Sequence, residues 1–113
     1  MIYYVAHKYQ GDSANLARAK RITHDLQVKD TKNCYICPLL AFSELEYNEI
    51  GYDAEMELCF DLLCVADFLI VASEITEGVQ REIDFAKMIK TEIFTLEDNG
   101  DLRPFEDRVG MPD

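Results

Sequence analysis

The stretch FLIVA at residues 68–72 decides the fold, because it is an almost uninterrupted apolar run directly after Asp67. Such a run is typical of a central parallel strand that is covered on both faces. Three further segments have strand character: IYYVA at 2–6, CYIC at 34–37 and TEIFTL at 91–96. Segments with helical periodicity separate these strands. The alternation predicts an α/β fold with three layers around a mostly parallel, four- to five-stranded sheet of flavodoxin/Rossmann-like type.

The chain length of 113 residues fits one domain. We assign residues 1–97 to this domain, since the last predicted strand ends at residue 96. The sequence DNGD at 98–101 is typical of a turn, and the residues after it are polar and contain proline. This pattern predicts a loose C-terminal tail over residues 98–113.

The charge balance bears on the class of partner. The formal net charge of -11 argues against binding to a nucleic-acid polymer, because the phosphates would be repelled. A small nucleoside or nucleotide can still bind through backbone N–H groups. The sequence contains no apolar run of about 18 residues or more, and its start lacks a signal-peptide pattern. We therefore expect a cytoplasmic protein without membrane contact.

The four cysteines do not have the spacing of a metal site. Cys34 and Cys37 lie in a predicted strand, where residues three apart point to opposite faces. Cys59 and Cys64 are five residues apart on a predicted helix, which is also a poor arrangement for one ion. We expect reduced cysteines, no metal ion and no cofactor.

Glu82 is a carboxylate at a position where an apolar side chain would be expected. Residues 78–89 have helical periodicity, and Glu82 lies near the middle of the apolar arc of that helix. The apolar members of this arc are Val79, Ile83, Phe85, Ala86 and Ile89. Facing a core, a charged group must be hydrogen-bonded or lie at a cavity. Glu82 is therefore either a structural hydrogen-bond acceptor or a site residue.

The expected position of a ligand is the edge formed by the carboxyl ends of the strands. Loops after Ala6, Cys37 and Ala72 should form its walls, and two predicted helix N-termini offer free N–H groups there. Acidic side chains in these loops disfavour a triphosphate, so a nucleoside or monophosphate is expected. The candidate ligand-binding residues are His7, Asp12, Asn15, Ser73, Thr76 and Gly78. His7 could donate to a base or phosphate, or could be an ordinary solvated loop histidine.

The segment TEGVQREIDFA at 76–86 fits the pattern Gly-x-x-x-Glu-[Leu/Ile]-x-[Tyr/Phe]-Ala. With the strands at 2–6 and 68–72, it resembles the nucleoside 2-deoxyribosyltransferase-like superfamily, in particular its small, uncharacterised bacterial and phage branch. The resemblance extends from Met1 to about Leu96. It implies an enzyme that forms a glycosyl intermediate on a glutamate.

The resemblance implies roles for individual residues. Glu82 corresponds to the nucleophile, and Tyr3 to the tyrosine that orients it. The acidic proton donor of the family is matched by Cys59, so Glu57 and Asp61 are the nearby candidates for that role. A further site aspartate of the family is matched by Thr76. The family's C-terminal extension completes a neighbouring subunit's site, and we expect no counterpart of it here.

Two functions based on the cleft remain open from the sequence, beside that of a subunit that acts mainly through assembly. The first is cleavage or transfer at the N-glycosidic bond of a nucleoside or nucleoside monophosphate. The second is binding or sequestering of a nucleotide-derived ligand on the same fold without catalysis. For either function we expect a small-molecule ligand and a homodimer or higher homo-oligomer.

Overall fold

The computed structural model describes residues 1–45 and 49–106. In this part of the chain, strands and helices alternate as the sequence predicted. The elements, in chain order, are β1 Ile2–Ala6, α1 Ser13–Lys29, β2 Cys34–Ile36, α2 Pro38–Ala41, α3 Tyr52–Val65, β3 Phe68–Val71, α4 Glu77–Met88, β4 Glu92–Leu96 and β5 Leu102–Pro104. No helix in these two ranges is long and apolar enough to cross a membrane.

The five strands form one sheet in the order β2-β1-β3-β4-β5. The pairs β1–β2, β1–β3 and β3–β4 are parallel, and β5 pairs with β4 in the antiparallel direction. The chain leaves β1 toward one edge and returns past it to β3, so the direction of winding changes between β1 and β3. This switch point opens a crevice at the carboxyl ends of both strands, which is the usual ligand position in open α/β sheets.

The sheet is covered on both faces, which makes the fold a three-layer α/β arrangement. On one face, Val5 and Ile70 pack with residues of α1 and with Cys37. On the other face, Tyr4 and Leu69 pack with residues of α3 and α4. Because neighbouring residues of a strand point to opposite faces, Val5 and Tyr4 belong to different cores.

Asp67 connects the starts of the two central strands. Its carboxylate accepts a hydrogen bond from the Ile2 backbone N–H at 2.6 Å. Its own N–H donates to the Ile2 carbonyl oxygen at 2.8 Å. These contacts fix the register of β1 against β3 at their amino ends, as expected of a polar residue that precedes a strand.

The C-terminal segment differs from the prediction of a loose tail from residue 98. Leu102–Pro104 form β5 as an edge strand, and the Phe105 N–H donates to the Ile93 carbonyl at 3.0 Å. The predicted turn is present: Gly100 has a φ of 91°, which favours glycine, and it reverses the chain onto β4. The ordered domain therefore extends past residue 97, while residues 107–113 lie outside the described residues.

Candidate functional site

A cleft of about 590 Å³ opens at the carboxyl ends of β1 and β3, on the side of the sheet covered by α3 and α4. We call it the Glu82 cleft. The loop after β1, the start of α2, the first turns of α3 and the N-terminus of α4 form its walls. Its lining residues are His7, Lys8, Tyr9, Gln10, Pro38, Leu39, Tyr52, Glu55, Met56, Cys59, Thr76, Glu77, Gly78, Val79 and Glu82.

Glu82 lies at the inner end of this cleft and is only 6% exposed. Its neighbours on α4, Val79 and Ile83, pack onto the sheet, so the carboxyl group also points inward. There it accepts a buried hydrogen bond from the Tyr4 hydroxyl. Burial raises the pKa of Glu82 to about 8, although the Tyr4 hydrogen bond acts in the opposite direction. The position that the sequence marked as anomalous is thus a hydrogen-bonded carboxyl at a cavity.

The partner of Glu82 is Tyr4, and the expectation that Tyr3 orients it is wrong by one residue. Tyr4 points toward α3 and α4, and burial together with the nearby Glu82 carboxyl raises its pKa well above the usual value. Tyr3 points to the opposite face, where its ring stacks on Tyr35 and contacts Phe68, with centroid separations of 4.8 Å. The alternation of side chains along β1 separates the two tyrosines.

The two proposed proton donors, Glu57 and Asp61, do not lie in the Glu82 cleft. Both are exposed on the outer face of α3. Cys59 and Glu55, one helical turn apart, line the cleft instead. Burial is the main cause that raises the pKa of the Cys59 thiol to about 12, and the Glu82 carboxyl adds to it, so the thiol stays protonated. Burial also raises the pKa of Glu55.

His7 is buried at the end of β1, only 4% exposed, and is not a solvated loop residue. Its Nδ1 lies 2.7 Å from the Lys8 carbonyl oxygen. Because a carbonyl oxygen only accepts hydrogen bonds, Nδ1 carries the proton. Burial lowers the pKa of His7, so the ring is neutral and Nε2 is an acceptor without a partner among the described residues. His7 therefore accepts at Nε2, contrary to the expectation that it donates to a ligand.

Two of the other candidates hold the loop after β1 and do not line the Glu82 cleft. Asp12 caps α1 by accepting from the Ala14 N–H at 2.8 Å. Asn15 is buried and donates from Nδ2 to the carbonyl oxygen of Tyr9 at 3.1 Å. Tyr9 itself lines the cleft, so Asn15 supports the cleft wall from behind.

Ser73 connects the loops after β1 and β3. Its hydroxyl accepts from the Lys8 N–H at 2.8 Å and donates to the Glu74 carbonyl oxygen at 2.9 Å. It lines a second cavity of about 630 Å³ on the α1 side of the sheet, and among the described residues His7 alone lines both that cavity and the Glu82 cleft. Ser73 is therefore placed at the predicted edge of the sheet but outside the Glu82 cleft.

Thr76 and Gly78 lie in the Glu82 cleft at the N-terminus of α4, as predicted. The Thr76 side chain caps this helix by accepting from the Val79 N–H at 3.5 Å. A methyl group added at Gly78 would lie 3.4 Å from the Tyr52 hydroxyl oxygen, the limit of ordinary contact. Gly78 thus allows α3 and α4 to approach each other at the cleft entrance.

Three of the side chains that line the Glu82 cleft are acidic. Among the described residues, no group of His, Cys, Asp and Glu side chains is arranged to hold a metal ion. Carboxyl groups of Glu55, Glu77 and Glu82 line the cleft, whereas Lys8 forms an ion pair with Glu74 at 2.7 Å. These surroundings suit a ligand with hydroxyl or amine donors better than a highly charged phosphate.

The free energy of unfolding should depend on pH through Glu82. Its pKa is about 8 in the folded chain, whereas the ordinary value of 4.5 applies to the unfolded chain. Between these pH values the folded state therefore binds more protons than the unfolded state. Stability therefore falls as pH rises from about 4.5 to about 8. The difference in free energy of unfolding between Glu82→Gln and the unchanged protein should therefore increase in favour of the variant across this pH range, by a few kcal/mol. Urea unfolding at several pH values measures it. Asp84→Asn, an exposed change on the same helix, should keep the pH dependence; a pH-independent difference for Glu82→Gln would contradict the prediction.

The adjacent tyrosines of β1 provide a matched pair of variants. Tyr4→Phe removes the hydrogen bond to Glu82 and should cost about 1–3 kcal/mol near pH 9, where the carboxylate is ionised, and less near pH 5. Tyr3→Phe removes a hydroxyl from the opposite face and should cost little at either pH. Urea unfolding at both pH values measures the difference. Equal effects of the two variants would show that Tyr4 does not hold Glu82.

The tautomer of His7 can be observed directly. We expect long-range ¹H–¹⁵N NMR correlations at pH 7 to show a neutral ring with its proton on Nδ1, because the Lys8 carbonyl accepts that proton. The chain has two histidines, so a His24→Asn variant assigns the His7 signals. A proton on Nε2, or a doubly protonated ring at pH 7, would be inconsistent with this geometry.

Comparisons by sequence give no relatives: no protein-family model and no curated protein matches the chain. Comparisons by structure give similar chains. One is a conserved protein from Enterococcus faecalis V583, with a TM-score of 0.67 and 17% identity over 84% of this chain and 62% of that chain. The present chain thus spans less than two thirds of that protein.

A second similar structure is the 2-deoxyribosyltransferase from Bacillus psychrosaccharolyticus. It aligns with a TM-score of 0.51 and 16% identity, over 100% of this chain and 93% of that chain. At this identity the alignment shows the fold. The chain therefore has the open α/β fold that its sequence predicted, and this fold is similar to that of the transferase.

Proposed function

We propose that the protein cleaves or transfers at the N-glycosidic bond of a nucleoside or nucleoside monophosphate, with Glu82 as nucleophile. The observation that carries this proposal is the position of Glu82: a buried carboxyl that accepts from Tyr4 and lines a cleft at the switch point of the sheet. The similarity in fold to a 2-deoxyribosyltransferase supports the choice of substrate class.

The proposed reaction uses the ionised form of Glu82. One carboxylate oxygen forms a bond to the anomeric carbon while the carbon–nitrogen bond breaks, and the electron pair leaves with the base, which takes up a proton. An acceptor base or water then attacks the same carbon, releases the Glu82 carboxylate and gives up a proton. The Tyr4 hydroxyl stabilises the carboxylate and holds its orientation in both steps.

The size and polarity of the cleft suit a nucleoside. A volume of about 590 Å³ lies within the usual range for small-molecule sites. The tyrosines at positions 9 and 52 offer flat apolar surfaces for a base. The backbone N–H groups at the N-terminus of α4 and the Thr76 side chain offer polar contacts for sugar hydroxyls or one phosphate.

A second candidate is a protein that binds the same ligand without turnover. The specific observation that favours it is the pKa of about 8 for Glu82, which leaves this carboxyl mostly neutral at pH 7. A neutral carboxyl both donates and accepts hydrogen bonds, so it can bind a sugar hydroxyl but does not attack carbon. The replacement of two expected acidic residues by Cys59 and Thr76 points in the same direction.

A nucleoside panel separates these functions. We expect the purified protein to release free base from at least one member of a set of ribo- and deoxyribonucleosides and their monophosphates, measured by chromatography at several pH values. Glu82→Gln should reduce this release by at least about 10³-fold, because the amide is a poor nucleophile. Asp84→Asn should retain it, since Asp84 is exposed on the same helix.

Absence of release across the whole panel, together with a rise in melting temperature on adding a nucleoside, would support the binding function and contradict turnover. Release that Glu82→Gln leaves unchanged would remove Glu82 from the chemistry.

A further inference from the structure

Cleavage of a nucleoside by a glutamate nucleophile needs a second group that gives a proton to the departing base. Within the proposed function, the source of this proton is the open question, since Glu57 and Asp61 are exposed on the outer face of α3. Other acidic groups that line the Glu82 cleft are Glu55 and Glu77 and the thiol of Cys59.

Glu77 and Cys59 are less suited to donate this proton. Glu77 is exposed at the first turn of α4, so its carboxyl faces solvent and is not enclosed with a bound base. The Cys59 thiol is held protonated by burial and by the Glu82 carboxyl, with its pKa raised to about 12. Such a weak acid is a poor proton donor, because general-acid catalysis is most efficient when the pKa of the donor is near the working pH.

Glu55 has surroundings that suit a proton donor. It belongs to the first turns of α3 and is half-buried at the boundary between the Glu82 cleft and a smaller cavity of about 70 Å³. The residues shared by both cavities are Tyr9, Pro38, Leu39, Glu55 and Cys59, which are largely apolar. Burial among them raises the pKa of Glu55.

Glu55 is also positioned relative to the nucleophile. It lies one helical turn before Cys59, and the carboxyl groups of Glu55 and Glu82 both act electrostatically on the Cys59 thiol. The Glu55 carboxyl makes no side-chain hydrogen bond or ion pair within residues 1–45 and 49–106, so its proton is available to a ligand. Glu55 on α3 and Glu82 on α4 therefore line the same cleft from two different helices.

We propose that Glu55 is the catalytic acid of this cleft and protonates the departing base while Glu82 attacks the anomeric carbon. This inference rests on the proposed function. In the first step the Glu55 proton moves to the base nitrogen as the carbon–nitrogen electron pair is released, which leaves a Glu55 carboxylate. In the second step that carboxylate takes the proton of the incoming water or acceptor base, so both carboxyl groups return to their starting state.

The test compares leaving groups that need a proton with leaving groups that do not. The probes are 2′-deoxyguanosine and guanosine, each beside its 7-methylated form, whose positively charged base departs as a neutral molecule. Glu55→Gln should lower kcat/KM for the unmethylated probes by about 10²–10⁴-fold, the usual contribution of a general acid, and for the methylated probes by less than about tenfold. Glu55→Asp, which keeps the acid, should retain part of the activity.

Glu57→Gln is the matched control, since it makes the same chemical change two residues away on the exposed face of α3. It should leave all four rates unchanged. Melting temperatures of the three variants should match that of the unchanged protein, which separates loss of acid catalysis from loss of fold.

Three results would overturn the assignment of Glu55. Equal losses for methylated and unmethylated probes would indicate a positioning or binding role only. Unchanged release from the unmethylated probes by Glu55→Gln would remove Glu55 from the reaction, while the role of Glu82 would stand. No release from any of the four probes by the unchanged protein would contradict Glu55 as an acid for purine bases, and base release from pyrimidine nucleosides would then decide the fate of the proposed function separately.

Discussion

The hydrogen bond between the Tyr4 hydroxyl and the Glu82 carboxyl is the interaction on which the site depends. It connects the first strand of the sheet to the helix after β3, across 78 positions of sequence. Both groups are buried, so each would be costly to leave without a partner. The bond therefore couples the docking of α4 on the sheet to the placement of a carboxyl group at the cleft.

Burial of the Glu82 carboxyl lowers the free energy of unfolding when this group is ionised. Val79, Ile83 and Ala86 of α4 already pack on the sheet. An apolar residue in place of Glu82 would continue this packing and would bury no ionisable group. A carboxyl group at this position has its pKa raised to about 8, because burial makes its ionisation unfavourable. Contacts with a bound ligand can offset this free-energy cost. This arrangement is common at functional sites, where chemistry and stability make opposing demands.

Much of the fold and part of the site could be predicted from the sequence. Alternation of strands and helices gave the parallel sheet, and the strand-end rule placed the cleft after β1 and β3. The interruption of an apolar helical arc was enough to select Glu82. Thr76 and Gly78 followed from the helix start, since a capping residue and a small residue are recognisable there.

The remaining differences have physical causes. The roles of Tyr3 and Tyr4 could not be distinguished, because β1 is covered on both faces. Its sequence therefore lacks the alternation of polar and apolar residues that shows which face of the sheet each side chain occupies. Glu57 and Asp61 are close to Cys59 in sequence, but an offset of two residues turns a helix by about 200°, so both lie on the exposed face of α3. Glu55 precedes Cys59 by one turn and lines the cleft with it. The edge strand β5 is only three residues long and depends on pairing with β4. A sequence pattern over three residues does not predict such pairing.

The most direct test of the account is an NMR titration of the Glu82 side-chain carboxyl carbon, with ¹³C-labelled glutamate and Glu82→Gln for assignment. We expect a midpoint near pH 8 that moves higher in Tyr4→Phe, because the buried carboxylate then loses its donor. A midpoint close to the ordinary value of 4.5, unchanged by Tyr4→Phe, would contradict the buried Tyr4–Glu82 pair as the centre of the site.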